Sequence, residues 1–213
     1  MGWNGEVGGD RGCFQESSNI VVNYTIKVCA MFYRVEVNPK NIGVVLETPF
    51  SLNPTRVGIA YNSAEWQLLS TLVDISLKND ISLSSICNAA VQQNAYIAYL
   101  LPGIWEVLFE KARPQKIPIR RTECAFFFAN KADALNYMSS YPGMQVGPLC
   151  EVEIINELFS MKADMKWLDN INENAVKASE VIDEFGKYWA GEMTGNPTIE
   201  ILFVGKYKLT PAP

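Results

Sequence analysis

Two β-type, largely apolar stretches far apart in the chain carry one arginine and one carboxylate of interest. Arg34 lies in Met31-Phe32-Tyr33-Arg34-Val35-Glu36-Val37, and Glu200 lies in Ile199-Glu200-Ile201-Leu202-Phe203-Val204. A guanidinium suits an anionic group because its planar fork donates in pairs. A carboxylate in a dry setting stabilises developing positive charge. The question the two residues pose is whether Arg34 and Glu200 meet in one cleft. The plain alternatives are an ion pair of Arg34 with Glu36 or Glu153, and an exposed strand position for Glu200.

The rest of the composition narrows the chemistry. The 213 residues contain no histidine, which removes Ser-His-Asp and Cys-His catalysis and the usual zinc sites. The net charge of −5 speaks against bulk nucleic-acid binding, which needs a positive field. No apolar run reaches membrane-spanning length. Neither G-x-x-x-x-G-K-[ST] nor G-x-G-x-x-G occurs. The cysteines, Cys13, Cys29, Cys87, Cys124 and Cys150, are odd in number and lack C-x-x-C spacing. They read as reduced thiols of a cytoplasmic protein.

Several elements must position the two residues. Residues 1–30 read as an N-terminal extension, partly disordered, with one strand-like run at Ile20–Ile26. Phe32–Val37 alternates as a strand, with Tyr33 and Val35 on one face and Arg34 and Glu36 on the other. Residues 41–63 read as loop with short extended pieces. Asn62 or Ser63 caps a helix carrying Trp66, Leu69, Leu72 and Val73. Leu83–Leu101 reads as one helix and Ile104–Arg113 as the next, closed by Pro114. Cys124–Phe128 is a short aromatic strand, and Asn130 caps the helix after it. Leu149–Ile155 is a strand, and Phe159–Leu168 is ambiguous. Ala175–Trp189 is a helix with Val176, Val181, Phe185 and Trp189 inward. Ile199–Val204 closes the series, with Tyr207–Leu209 as its extension. A helical block between strands gives an α+β fold in one domain over residues 31–213.

Tyr33-Arg34 and Ile199-Glu200-Ile201-Leu202 resemble the first and last motifs of the arginine-serine-glutamate branch of the ADP-ribosyltransferase superfamily. Phe127-Phe128-Ala129-Asn130-Lys131-Ala132-Asp133-Ala134, the strand Glu151-Val152-Glu153-Ile154 and Asp164 resemble the layout of the small rifampicin-modifying transferases. Phe109–Arg113, Ile117-Pro118, Arg121 and Cys124 also resemble a bacterial family of unassigned function. The superfamily resemblance implies a split mixed β-sheet core, with a helical block between the first and second core strands. It implies NAD as substrate, Glu200 and Arg34 as catalytic residues, and Arg34, Tyr33, Arg121, Phe127 and Asp164 as NAD contacts. The middle strand has Cys124–Phe128 where the branch has serines, and Thr198 stands where many members have Glu or Gln. Both departures count against arginine or asparagine as acceptor, and the acceptor stays open.

Several residues keep a plainer reading beside this one. Asp164 reads as a cap or turn residue as well as an NAD contact. Glu106 and Glu110, one helical turn apart, read as a solvated face or as paired carboxylates. Tyr188-Trp189 reads as a pocket wall or as the closure of a helix onto the sheet. A second function class is a non-catalytic binding or assembly protein that keeps the fold, and a homodimer fits either class.

Overall fold

The computed structural model describes residues 31–48, 59–140, 142–169 and 177–213. The 1–30 extension, its Ile20–Ile26 run, Cys13, Cys29, and residues 175–176 of the last expected helix lie outside them. The fold is α+β, a curled sheet with helices on one side. The strands are β1 (Phe32–Val35), β2 (Val45–Glu47), β3 (Ala125–Phe128), β4 (Leu149–Asp164) and β5 (Ile199–Pro211). The helices are α1 (Ala64–Asn79), α2 (Leu83–Gln93), α3 (Tyr96–Leu100), α4 (Ile104–Ala112), α5 (Lys131–Ser140), α6 (Lys166–Asp169) and α7 (Ala178–Ala190).

The long strand β5 organises the sheet. On one edge Glu200–Phe203 pairs with β3 and Lys206–Lys208 pairs with β2. On its other edge it pairs with β4 from Ile199 to Pro211. The start of β4 pairs with β1, and β1 meets β3, so the ladder closes on itself. Among the described residues all five ladders are antiparallel, whereas the sequence reading expected a mixed sheet. A parallel contact appears among the described residues only as the isolated bridge Ile42–Leu209.

Strand alternation sorts the side chains into two cores. Ala125, Phe127, Ile201, Phe203, Tyr207 and Leu209 face the inside of the closed sheet, with Cys150 and Val152. Leu202, Val204 and Ala163, joined by Phe126, face the helices. There they meet Leu69 and Val73 of α1, Val107 and Leu108 of α4, and Val181, Phe185 and Trp189 of α7. The α7 residues recur at helical spacing and form one apolar stripe.

Caps explain most helix boundaries. Ser63, one of the two expected caps, accepts the Trp66 N–H at 3.2 Å. Asn130 caps α5 by accepting the Asp133 N–H at 2.8 Å. Gly191 ends α7 in the left-handed region, φ 71°, where glycine carries no Cβ penalty. Two boundaries differ from the sequence expectation, the split of the second helix and the length of β4. The single helix Leu83–Leu101 is two, because Asn94 turns extended and its side chain accepts the Tyr96 N–H. Strand β2 is one of the short extended pieces expected within residues 41–63, and β5 offers it an edge. Strand β4 runs on to Asp164 through Phe159–Ala163, because β5 is long enough to pair all of it.

The β4–β5 ladder shifts register between Ile154 and Asn156 and between Glu157 and Phe159. Opposite this irregular stretch Gly205 adopts φ 150°, and a Cβ there would sit 2.0 Å from the Asn156 carbonyl oxygen. Thr48 accepts the Gly205 N–H at 2.7 Å and fixes the strand from the other edge. Gly205→Ala is therefore expected to destabilise the protein by about 2–4 kcal/mol, through clash and backbone strain. Urea unfolding of the variant and the parent protein measures it.

Candidate functional site

The site is built on the helix-facing side of β5. Glu200 pairs in register with Phe128 of β3, and Phe128 pairs with Tyr33 of β1. Directly opposed residues share a face, so Tyr33, Phe128 and Glu200 form one row. On the other edge Glu200 opposes Ala163. Glu200 is 5% exposed, so its charge demands partners.

Arg121 and Tyr188 supply them. Arg121 opens the short 3-10 turn Arg121–Glu123 just before β3. Arg120 fixes that turn, its N–H and guanidinium donating to the Glu123 carboxylate at 2.9 and 2.8 Å. The Arg121 guanidinium lies 4.6 Å from the ring centre of Phe109 and 4.4 Å from that of Phe126, a desolvated cation–π setting. Its Nη2 donates to Glu200 Oε2 at 3.4 Å, and its Nη1 lies 3.6 Å from Glu106 Oε1. The Tyr188 hydroxyl donates to the same Glu200 Oε2. Among the described residues nothing bonds to Glu200 Oε1.

Helices α4 and α7 set this geometry. Phe109 of α4 stacks on Phe185 of α7 at 3.7 Å between ring centres, and the Trp189 indole donates to the Phe109 carbonyl at 2.9 Å. One turn of α4 separates Glu106 from Phe109, so carboxylate and ring reach Arg121 together. Tyr188 precedes Trp189 on the buried side of α7 and meets Phe109 edge to face.

The protonation states follow from this crowding. Burial alone pushes the Arg121 pKa down, but Glu200, Tyr188 and Glu106 outweigh it, so the net shift is upward. Burial, then the neighbouring Glu200 charge, hold the Tyr188 phenol well above its usual range. The cluster thus holds one permanent cation, a neutral phenol and two carboxyl groups. Burial pushes the adjacent Cys124 thiol up to about 12, which leaves it protonated and a poor nucleophile.

The residues singled out from the sequence divide between the two sides of the sheet. Glu200, Tyr33 and Arg121 lie on the helix side. Arg34 does not join them. It follows Tyr33 in β1 and opposes Cys150, so it points to the inner side, where its Nε lies 3.4 Å from Glu36. The expectation that Arg34 and Glu200 flank one cleft is corrected by this alternation. Phe127 is likewise turned inward and packs on Phe203 and Tyr207; Phe126 takes the place by Arg121.

Asp164 is fully buried and both its oxygens are used. Oδ1 accepts the N–H groups of Lys166 and Thr198, each at 2.9 Å, and Oδ2 accepts the N–H and hydroxyl of Thr194 at 2.8 and 2.6 Å. Its expected contact with NAD is replaced by a structural duty: it ties the α7–β5 loop to the end of β4 and so places Glu200. The sequence reading did not link Tyr188 or Glu106 to Glu200. The inward stripe of α7 and the one-turn spacing of Glu106 and Glu110 were the available signals. Both glutamates are mostly buried and ion-paired, Glu110 with Arg113, rather than on a solvated face.

Among the described residues no helix is long and apolar enough to cross a membrane, and no group of three or more His, Cys, Asp or Glu is placed to hold a metal ion. A family model described as a protein of unknown function (DUF2441) matches residues 61–211. No curated protein matches the chain. The matched region holds α1 to β5, and with them Glu106, Arg121, Tyr188 and Glu200.

Burial raises the pKa of Asp164, but its hydrogen bonds from Thr194, Lys166 and Thr198 lower it further, so the net shift is downward. A depressed folded pKa means that the unfolded chain binds the proton more readily. The stability Asp164 contributes is therefore present above the unfolded aspartate value of about 3.9 and is lost as pH falls through the folded value. Asp164→Asn is expected to lower stability at neutral pH and to flatten the decline below about pH 4. Urea midpoints measured across the acid range check this; parallel curves for the two proteins would contradict it.

Proposed function

The chain belongs to the DUF2441 family of unknown function, and we propose that it transfers ADP-ribose from NAD to an acceptor, with Glu200 as the catalytic carboxylate. One observation carries the proposal. Among the described residues Glu200 is held through a single oxygen, since Arg121 and Tyr188 both engage Oε2. Oε1 remains for a substrate hydroxyl. An oriented, desolvated carboxylate with one open oxygen suits a reaction that develops positive charge on a ribose ring.

In this reading the bond between ribose C1′ and the nicotinamide nitrogen breaks, and nicotinamide leaves with the bonding pair. Glu200 Oε1 accepts a ribose hydroxyl and stabilises the oxocarbenium-like centre. The acceptor then bonds to C1′ and gives up its proton; water as acceptor yields free ADP-ribose. Tyr188 and Arg121 keep Glu200 in one orientation, and Tyr33 and Phe128 extend the same row of the sheet. Arg34 has no part at the carboxylate.

A second reading is a non-catalytic binding or assembly protein on the same fold. The near-complete burial of Glu200 and the turning of Arg34 toward Glu36 favour it.

The two readings separate in one experiment. Calorimetric titration with NAD and an assay for released nicotinamide are run on the parent protein and on Glu200→Gln. The catalytic reading expects NAD binding, nicotinamide release, and a loss of about 100-fold or more in kcat for the variant. Equal turnover by the variant would remove Glu200 from the chemistry. No binding at about millimolar NAD, a contact worth only about 4 kcal/mol, would leave the binding-protein reading.

A further inference from the structure

Arg121 is shared between two carboxylates, and neither contact is tight. It stands 3.4 Å from Glu200 and 3.6 Å from Glu106. The ion pairs Lys111–Asp74 and Arg120–Glu123 are closer, at 2.7 and 2.8 Å, whereas Arg34–Glu36 and Lys206–Glu47 also stand at 3.4 Å. A guanidinium facing one carboxylate prefers to engage both its oxygens. Arg121 does not do so with Glu200. Each of its terminal nitrogens goes to a different glutamate, and both contacts use one carboxylate oxygen.

Unused bonding capacity remains in the same cluster. Arg121 Nε and Glu106 Oε2 are buried and, among the described residues, have no hydrogen-bond partner. The guanidinium carbon lies over the rings of Phe109 and Phe126, and its terminal nitrogens reach toward the two glutamates on different elements. Helix α4 fixes Glu106, and strand β5 fixes Glu200.

We propose that Glu106 is a positioning residue: by drawing on Arg121 it prevents that arginine from closing over both oxygens of Glu200, and so keeps Oε1 open for substrate. The inference rests on the reading of Glu200 as the catalytic carboxylate, and it assigns a purpose to a buried carboxylate which that reaction does not otherwise use. Glu106 does not touch the substrate. Its influence passes through Arg121 alone.

Glu106→Gln tests this, because it keeps the shape and removes the charge. Two readouts are taken from it: a crystal structure, and the kinetics of nicotinamide release from NAD. The structure is expected to show Arg121 moved onto Glu200, with its nitrogens within about 3 Å of both carboxylate oxygens. The kinetics are expected to show kcat lowered about tenfold or more, with KM for NAD within about twofold of the parent value. Glu106→Asp, which retains the charge, is expected to recover part of kcat. An unmoved Arg121 in the Gln variant overturns the proposal, and so does an unchanged kcat in an active enzyme. If the parent protein releases no nicotinamide, the transferase reading fails by itself, and the crystal structure of Glu106→Gln still decides whether Glu106 holds Arg121 off Glu200.

Discussion

The buried pair of Arg121 and Glu200 is the constraint on which the rest of this structure depends. Glu200 sits on the central strand of a closed sheet, and Arg121 sits on the turn that enters β3. Between them and around them lie α4 and α7. Removing two charges from water costs several kcal/mol per ion, and that cost is offset only where geometry and further hydrogen bonds are good. Here the offset comes from Tyr188, from Glu106 and from the rings of Phe109 and Phe126. The aromatic stacking of α4 on α7 is therefore more than core packing. It is the frame that makes a buried carboxylate tolerable on β5.

A structural and a functional account of such a pair make different demands. A cluster kept only for stability would be replaced at little cost by apolar side chains of similar volume. A cluster kept for chemistry would leave part of its carboxylate uncommitted. At Glu200 both donors among the described residues converge on one oxygen, which is the feature that the proposed chemistry rests on. The shared arginine provides a physical reason: a cation divided between two glutamates saturates neither.

Local patterns in the sequence carried the α+β class, most helix and strand positions, and the isolation of Glu200 on an apolar strand. Capping residues and alternation fixed these, since both act over a few residues. Pairing partners were less legible. Tyr33-Arg34 and Glu200 were each correctly placed on strands, yet the assumption that Arg34 faces Glu200 required knowing which strands are neighbours and in what register. The ladder Tyr33–Phe128–Glu200 turns Arg34 away by one residue, and a one-residue step inverts the face. Phe127 was misplaced for the same reason. Tyr188, 12 residues from Glu200 in sequence, reads as an ordinary inward position of α7 until the helix is docked. Asp164 had a correct plain reading as a turn residue, because a carboxylate at a strand end commonly collects nearby N–H groups.

A double-mutant cycle on Arg121 and Glu200 tests the central claim most directly. Arg121→Met and Glu200→Gln are made singly and together, and each protein is unfolded in urea. Each single change is predicted to cost about 3–5 kcal/mol, since it leaves a buried polar partner unmatched. The double variant is predicted to be more stable than the sum of the two losses by about 2 kcal/mol or more. Additivity within about 0.5 kcal/mol would show that the two side chains do not depend on one another, and would contradict the account.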